Sequence, residues 1–244
     1  MAPQIQRIVL IRHDTSLANV DPAIYKQMPD HTIPLAAPHS DRLVTASRLL
    51  ATLSLDPDET LSWCSPYVRC EQTEASVLRG TFGDAAESIR RRESFLLREQ
   101  EFGDWDSLTD DEARVELPRS FEKRRVLTDS FGKFYFRYPN GESRADVVER
   151  VIAFIGKMHR SHFANHLIFL HGVTQRAFRM AWLNLSVEWF EGEPNPSNAS
   201  VLVIRRDPMR GWVERCLPDG VERASEWIHR IDDALIAAPD ASIE

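Results

Sequence analysis

The stretch Ile8-Val9-Leu10-Ile11-Arg12-His13-Asp14-Thr15-Ser16-Leu17-Ala18-Asn19 decides how this chain is read. Ile8 to Ile11 is a short unbroken aliphatic run, which predicts a strand buried on both faces. It runs straight into Arg12-His13 and then into Asp14, Thr15, Ser16 and Asn19, residues that turn the chain and start helices. A cation and an imidazole at the carboxyl end of a buried strand lie where open α/β sheets place their ligand sites. Simple salt bridging could produce one such strand end. The pattern returns, however, at Leu167-Ile168-Phe169-Leu170, which ends in His171-Gly172 and feeds a predicted helix from Val173 to Leu183. As adjacent strands of a parallel sheet, the two would bring His13 and His171 to one crevice.

The rest of the chain fits an α/β protein. Its 244 residues are 43% hydrophobic and 27% charged, enough for a sizeable core. A net charge of −7 argues against a general nucleic-acid binder, which needs excess Lys and Arg to neutralise phosphates. Cys64, Cys70 and Cys216 lack the spacing of a zinc site and read as reduced thiols. With no leader-like opening and no apolar run of membrane-spanning length, the expected address is the cytoplasm and no membrane partner is expected.

Between the two histidine blocks, residues 20–38 read as a long Pro-containing loop, and Asp41 to Leu53 as a helix. Thr60 to Cys64 is a predicted strand, Arg69 to Leu78 a helix, and Ser88 to Phe95 a strand whose Arg90–Arg92 run reads as a solvated edge. Thr109 to Asp129 is predicted helical with a break near Pro118. Pro139-Asn140-Gly141-Glu142-Ser143 is a turn whose serine caps a helix running to about His162. Its expected inward face is Val147, Val148, Val151, Ile152, Phe154 and Ile155. Ser200–Arg206 and Trp212–Leu217 form a predicted hairpin, followed by a helix over 224–237 and a tail over 238–244. His31, His39, His159, His162, His166 and His229 read as surface residues. One domain over 1–244 is expected, with 20–38 and 104–138 walling its pocket.

In order and spacing these blocks resemble the histidine phosphatase superfamily, which includes the cofactor-dependent phosphoglycerate mutases. The opening signature is similar to Arg12-His13-Asp14-Thr15-Ser16 with Asn19. Further blocks are Ser65-Pro66-Tyr67-Val68-Arg69-Cys70-Glu71-Gln72-Thr73, Leu97-Arg98-Glu99-Gln100-Glu101-Phe102-Gly103, Gly141-Glu142-Ser143, and His171-Gly172 with Thr174 and Arg176. The Phe134-Tyr135-Phe136-Arg137-Tyr138-Pro139-Asn140-Gly141-Glu142-Ser143 run looks like a fungal and plant branch of phosphoglycerate-mutase-like proteins. The resemblance implies a three-layer α/β/α sandwich with a mainly parallel sheet and both histidines at its carboxyl edge.

It also implies phosphoryl transfer, which needs an in-line nucleophile and positive charge around the moving group. A neutral His13 would attack phosphorus and form a phosphohistidine. Arg12 and Arg69 would fork onto phosphate oxygens, His171 would add a cation or donor, and Asn19 and the Gly172 amide further donors. Glu99 would protonate the leaving oxygen and later activate water, with Glu101 the weaker candidate for that proton. The expected activity is therefore a histidine acid phosphatase-type phosphomonoesterase, independent of metals and cofactors, acting on a small phosphorylated metabolite. A phosphoglycerate mutase-type phosphotransferase is the first alternative, and a catalytically weak regulatory or binding member of the family the second. The sequence leaves the oligomeric state open, a homodimer included.

Taken alone, Arg69 could instead pair with Glu71 or Glu74, and Glu99 could sit in a charged exposed loop. Three residues depart from the family pattern. Asp14 stands in place of glycine after the nucleophile, where a carboxylate facing phosphate is repulsive by about 1–4 kcal/mol. Leu170 replaces a small serine, and Val173 replaces a glycine or alanine and is expected to narrow the pocket.

Overall fold

Alternation along the central strands dictates the layering. In the computed structural model, which describes residues 5–218 and 223–224, Ile8 to Ile11 of β1 (Arg7–Arg12) are all fully buried. Ile8 and Leu10 join one core with Trp63, Ile168, Leu170 and Leu202. Val9 and Ile11 join a second with Leu167, Phe169, Val201 and Val203. Successive strand side chains point to opposite faces, so a run apolar at every position must be covered on both.

The remaining strands are β2 (Thr60–Cys64), β3 (Arg90–Glu93), β4 (Asn165–Leu170), β5 (Val201–Asp207), β6 (Gly211–Leu217) and β7 (Arg223–Ala224). They form a mixed sheet in the order β3-β2-β4-β1-β5-β6-β7. The β3-β2-β4-β1 half is parallel, and the half from β5 onward is antiparallel. All four β3 side chains are exposed, as expected of an edge strand.

Between β1 and β2 lie α1 (Leu17–Val20) and α2 (Asp41–Ala51), and α3 (Val68–Phe82) follows β2. The segment after β3 carries α4 (Asp110–Glu116), α5 (Pro118–Phe131) and α6 (Arg144–Met158), and α7 (Gly172–Leu183) and α8 (Val187–Gly192) follow β4. Apolar residues of α6 and α7 (Val147, Val151, Phe154, Phe178) cover the first core, and Leu43, Leu50, Val77 and Leu78 of α2 and α3 cover the second. This is the expected three-layer sandwich. Among the described residues no helix is long and apolar enough to cross a membrane.

Local chemistry sets the helix ends. Ser143 caps α6 and closes a capping box with Asp146, and Pro118 opens α5 at its first position, where its missing N–H costs nothing. Helix α3 runs on to Phe82, beyond the expected end at Leu78 and through Gly80. A Cβ on Gly80 would lie 2.5 Å from Ser47 Oγ, so this glycine serves close packing of α2 on α3. The helix ends instead at Gly83, whose φ is +58°.

Other expectations are corrected. Helix α6 stops at Met158 instead of His162, and Ile152 is 55% exposed, outside the inward face. Helix α8, capped by Ser186, lies in a stretch without an apolar period long enough to predict it. His166 is fully buried, accepting from Trp63 Nε1 at 3.0 Å and contacting Ser161 Oγ at 3.2 Å. The expected helix over 224–237 and tail over 238–244 fall, apart from residue 224, outside the described residues, as does His229.

Residues 103–138 form a small separate core. Trp105, Ala113 and Phe136 are buried there, with Phe102, Phe121 and Tyr138 packed against them. An ion pair of 2.7 Å between Lys26 and Glu112 ties the loop after β1 to α4.

Candidate active site

Three parallel strand ends meet at one point. The β1–β4 register pairs Arg12 with Leu170, so the next residue of each strand is a histidine, and His13 N donates to Leu170 O at 3.0 Å. Strand β2 ends beside β4, with Ser65 N donating to Phe169 O at 3.0 Å. The rings of His13 and His171 approach edge to face, 5.1 Å between centroids, and both are buried. Tyr67 packs its ring edge to face on His171 at 4.8 Å.

Hydrogen bonds assign the protons. His13 Nδ1 lies 2.6 Å from the carbonyl of Asp14, which can only accept, so Nδ1 donates and Nε2 keeps the lone pair. Burial, reinforced by the Arg69 and Arg12 charges, pushes this imidazole down to about 3. Burial and Arg69 likewise push His171 far below the usual histidine range. A protonated His171, entertained on sequence grounds, is therefore replaced by a neutral one. Its Nε2 faces Ser65 Oγ at 2.9 Å and Cys70 Sγ at 3.4 Å, and burial raises the Cys70 thiol, keeping it protonated. With two potential donors converging on Nε2, the remaining proton falls to Nδ1.

Among the described residues, two buried donors in this crevice lack a protein partner: Nδ1 of His171 and Nε of Arg12. Buried polar groups are nearly always paired, so two orphans flanking His13 mark a place for an acceptor. Arg12 is fixed by a bond from Nη1 to the Pro196 carbonyl. The 195–198 loop also brings Asn198 Nδ2 to His13 O at 3.2 Å and Asn195 against Gly172, where a Cβ would sit 3.1 Å from the amide. Gly172 opens α7, whose dipole favours an anion in front of it. Asn19 is more committed than expected: its Oδ1 accepts from Ser16 N and Asn198 Nδ2, leaving Nδ2 as its donor.

Arg69 is buried and held neither by Glu71 nor by Glu74. Its Nη1 donates to Asp30 Oδ1 at 2.8 Å and Asp30 O at 2.7 Å, and Nη2 reaches Oδ2 at 3.3 Å. A carboxylate from the 20–38 loop thus occupies the fork expected to hold phosphate. The other carboxylate at issue, Asp14, turns away from the crevice. It accepts from Ser40 Oγ, the cap of α2, and lies 4.0 Å from Arg42. Val173, expected to narrow the pocket, packs into the first core.

Glu99 sits on a braced loop. Arg150 Nη1 donates to Leu96 O at 2.6 Å and Nη2 to Glu99 O at 3.1 Å, while Nε meets Glu142 Oε1 at 2.9 Å. Glu142 also takes Arg98 at 2.7 Å, and its backbone N–H donates to Glu101 O at 2.8 Å. The Gly-Glu-Ser block therefore secures the loop that carries Glu99. Gly141 lies 2.5 Å, measured from an added Cβ, from the Glu101 carbonyl, where no side chain fits. Glu99 Oε1 accepts from Gln100 N at 3.0 Å. Glu101 turns to Arg98 at 2.8 Å, which commits it to structure. Arg150 and Asp30 escaped the sequence reading because nothing in the spacing of either points to the site. Beyond Glu99 opens a cavity of about 450 Å³. Among the described residues no three His, Cys, Asp or Glu side chains converge as a metal site requires.

Residues 8–218 match the family described as "Histidine phosphatase superfamily (branch 1)". A curated relative from Arabidopsis thaliana, phosphoglycerate mutase-like protein AT74, is 33% identical over 82% of this chain and 64% of its own length. The present chain thus spans just under two thirds of that relative. The broad-range acid phosphatase DET1 of Saccharomyces cerevisiae is 30% identical over 56% of this chain and 40% of its own. Among solved structures, a mycobacterial glucosyl-3-phosphoglycerate phosphatase shares the fold with a TM-score of 0.61 at 21% identity, covering 82% of this chain and 90% of that one.

Proposed function

Because this chain belongs to the histidine phosphatase superfamily (branch 1), we propose that it is a phosphomonoester hydrolase working through a phosphohistidine on His13. The observation that carries the reading is a neutral imidazole whose Nε2 lone pair is set by the Nδ1–Asp14 bond, flanked by the unpaired donors of Arg12 and His171. A nucleophile that stays unprotonated beside cations is what phosphoryl transfer to nitrogen needs.

In the first step His13 Nε2 attacks phosphorus and the ester P–O bond breaks, Glu99 giving its proton to the departing alcohol oxygen. Arg12 Nε, His171 Nδ1 and the Gly172 amide hold the equatorial oxygens, joined by Arg69 once Asp30 yields. In the second step the Glu99 carboxylate takes a proton from water, the oxygen attacks phosphorus, and the P–N bond breaks. Inorganic phosphate leaves with Glu99 and His13 restored. No step calls for a metal. The acid phosphatase relative supports the hydrolytic outcome.

The test is phosphate release from a panel of phosphomonoesters without added metal, paired with trapping of label from a ³²P-ester by an alkaline detergent quench, in which phosphohistidine survives. Release by the wild type and an acid-labile phosphoenzyme, both absent in His13→Ala, is the expected result. A folded wild-type protein that forms neither sinks the reading.

A further inference from the structure

The cavity beyond Glu99 adjoins the crevice, shares Glu99 and Asp30 as walls, and differs from it in chemistry. Its apolar lining comes from Tyr25, Phe102, Trp105 and Tyr138, with Trp105 edge to face against Tyr138 at 5.5 Å. The charge of its walls is negative: Asp30, Glu99, Asp106, Asp110 and Glu112 stand against Lys26 and Arg124, with Arg69 behind Asp30. Both cations are already held by wall carboxylates, Lys26 by Glu112 at 2.7 Å and Arg124 by Asp110 at 2.7 Å, and Arg124 also lies over the Trp105 ring at 5.1 Å. Partial burial and the nearby Asp30 charge raise the Asp106 carboxyl, a sign that the cavity resists further negative charge.

A leaving group released when Glu99 delivers its proton must lie on the Glu99 side of the phosphorus, in line with His13. The cavity is therefore where that alcohol sits. We infer that this protein selects phosphomonoesters whose alcohol part presents an aromatic or apolar face and carries no second anionic group. The inference rests on the hydrolase reading and adds the substrate class. Aromatic walls reward a planar ring with burial and edge contacts, whereas a carboxylate or second phosphate would enter among carboxylates that outnumber the cations beside them, with Lys26 and Arg124 already held.

The experiment compares kcat/KM for 1-naphthyl phosphate, 3-phosphoglycerate and fructose 1,6-bisphosphate in the wild type, Tyr25→Ala and Asp106→Asn. Tyr25 and Asp106 are not part of the buried core, so both variants should fold. Naphthyl phosphate should exceed both anionic esters by about tenfold or more, equivalent to at least 1.4 kcal/mol. Tyr25→Ala should lower the naphthyl value about fivefold and 3-phosphoglycerate by a clearly smaller factor, whereas Asp106→Asn should narrow the gap by raising the anionic esters. Equal or better turnover of the anionic esters overturns the substrate class and leaves the hydrolase standing. If no ester is turned over, the hydrolase reading falls. Titration calorimetry with the same three esters then decides the class alone, naphthyl phosphate binding tightest in support of it and an anionic ester binding tightest against it.

Discussion

The crevice around His13 and the cavity beyond Glu99 share a wall and are made in different ways. The crevice is the meeting point of three strand ends, where sheet register places His13, His171 and Ser65 and leaves two buried donors without partners. The cavity is lined by an irregular loop and a satellite core joined through exposed or half-exposed ion pairs such as Lys26–Glu112. Backbone ladders fix positions to fractions of an ångström, while small satellite clusters and surface ion pairs fix them weakly. Under the proposed function the comparison teaches a division of labour: reaction chemistry would sit on the part built from backbone ladders, and selection among substrates on the part held by side-chain contacts.

The largest expected effect separates the two regions outright. His13→Ala should lower kcat by at least ~10³-fold, as loss of a covalent nucleophile does, while leaving naphthyl phosphate affinity within a few-fold. Single-turnover kinetics and calorimetry on the same variant read both numbers. If binding is lost along with turnover, the two hollows are not independent.

The brace beneath Glu99 links them. Glu142 keeps Arg98, but the Leu96 and Glu99 carbonyls lose their charged donor, so Arg150→Met should destabilise the fold by about 1.5–3 kcal/mol and lower kcat about 10- to 100-fold. Arg150 acts by positioning Glu99, so the basic and acidic limbs of the pH–rate profile should shift in Arg150→Met and return in Arg150→Lys more fully than stability does. An unchanged profile would show that the arginine matters to folding alone.

The pH dependence of stability tests the crevice. His13 is depressed to about 3, His166 to about 4, and His171 well below the usual range, all chiefly by burial. Below pH 6.5 the unfolded chain takes up protons that the folded one refuses. Their contribution to stability is thus complete above about pH 6.5 and is lost as pH falls toward the folded values, by about 1.4 kcal/mol per pH unit for each histidine. Denaturant midpoints measured from pH 7.5 to 4.5 check this, and a His166→Gln variant should show a shallower slope because one of the three is gone.

The smallest effect lies on the shared wall. Asp30→Asn keeps the backbone contact to Arg69 but removes the charge from its fork. Stability should drop by about 1–3 kcal/mol, and inorganic phosphate should bind several-fold tighter and restore most of the loss. Phosphate binding no tighter than in the wild type would mean that Arg69 does not serve the anion.

Much of the crevice was legible from the chain alone. Continuous apolar runs at residues 8–11 and 167–170, each ending in histidine, forced two doubly covered strands, and parallel pairing then forced the histidines together. Capping at Ser143, the break at Pro118 and the hairpin around 201–217 followed from local chemistry, which acts over a few residues. Local chemistry also misled. The helix expected to end at Leu78 runs on through Gly80, which packs closely on Ser47, and His166 reads as surface but lies in the core against Trp63. Asp14 looked like a threat to phosphate until α2 placed Ser40 and Arg42 beside it.

The sequence by itself determined which strands would fill the centre of the sheet and present His13 and His171 at their ends, because hydrophobic period and strand ends are properties of short stretches. Only the tertiary structure decided their states and company. Asp30 reaches Arg69 across 39 positions and Arg150 reaches Leu96 across 54. The neutral state of His13 and the acidity of the neighbouring cavity likewise come from burial and from charges distant in the chain, which no local spacing encodes.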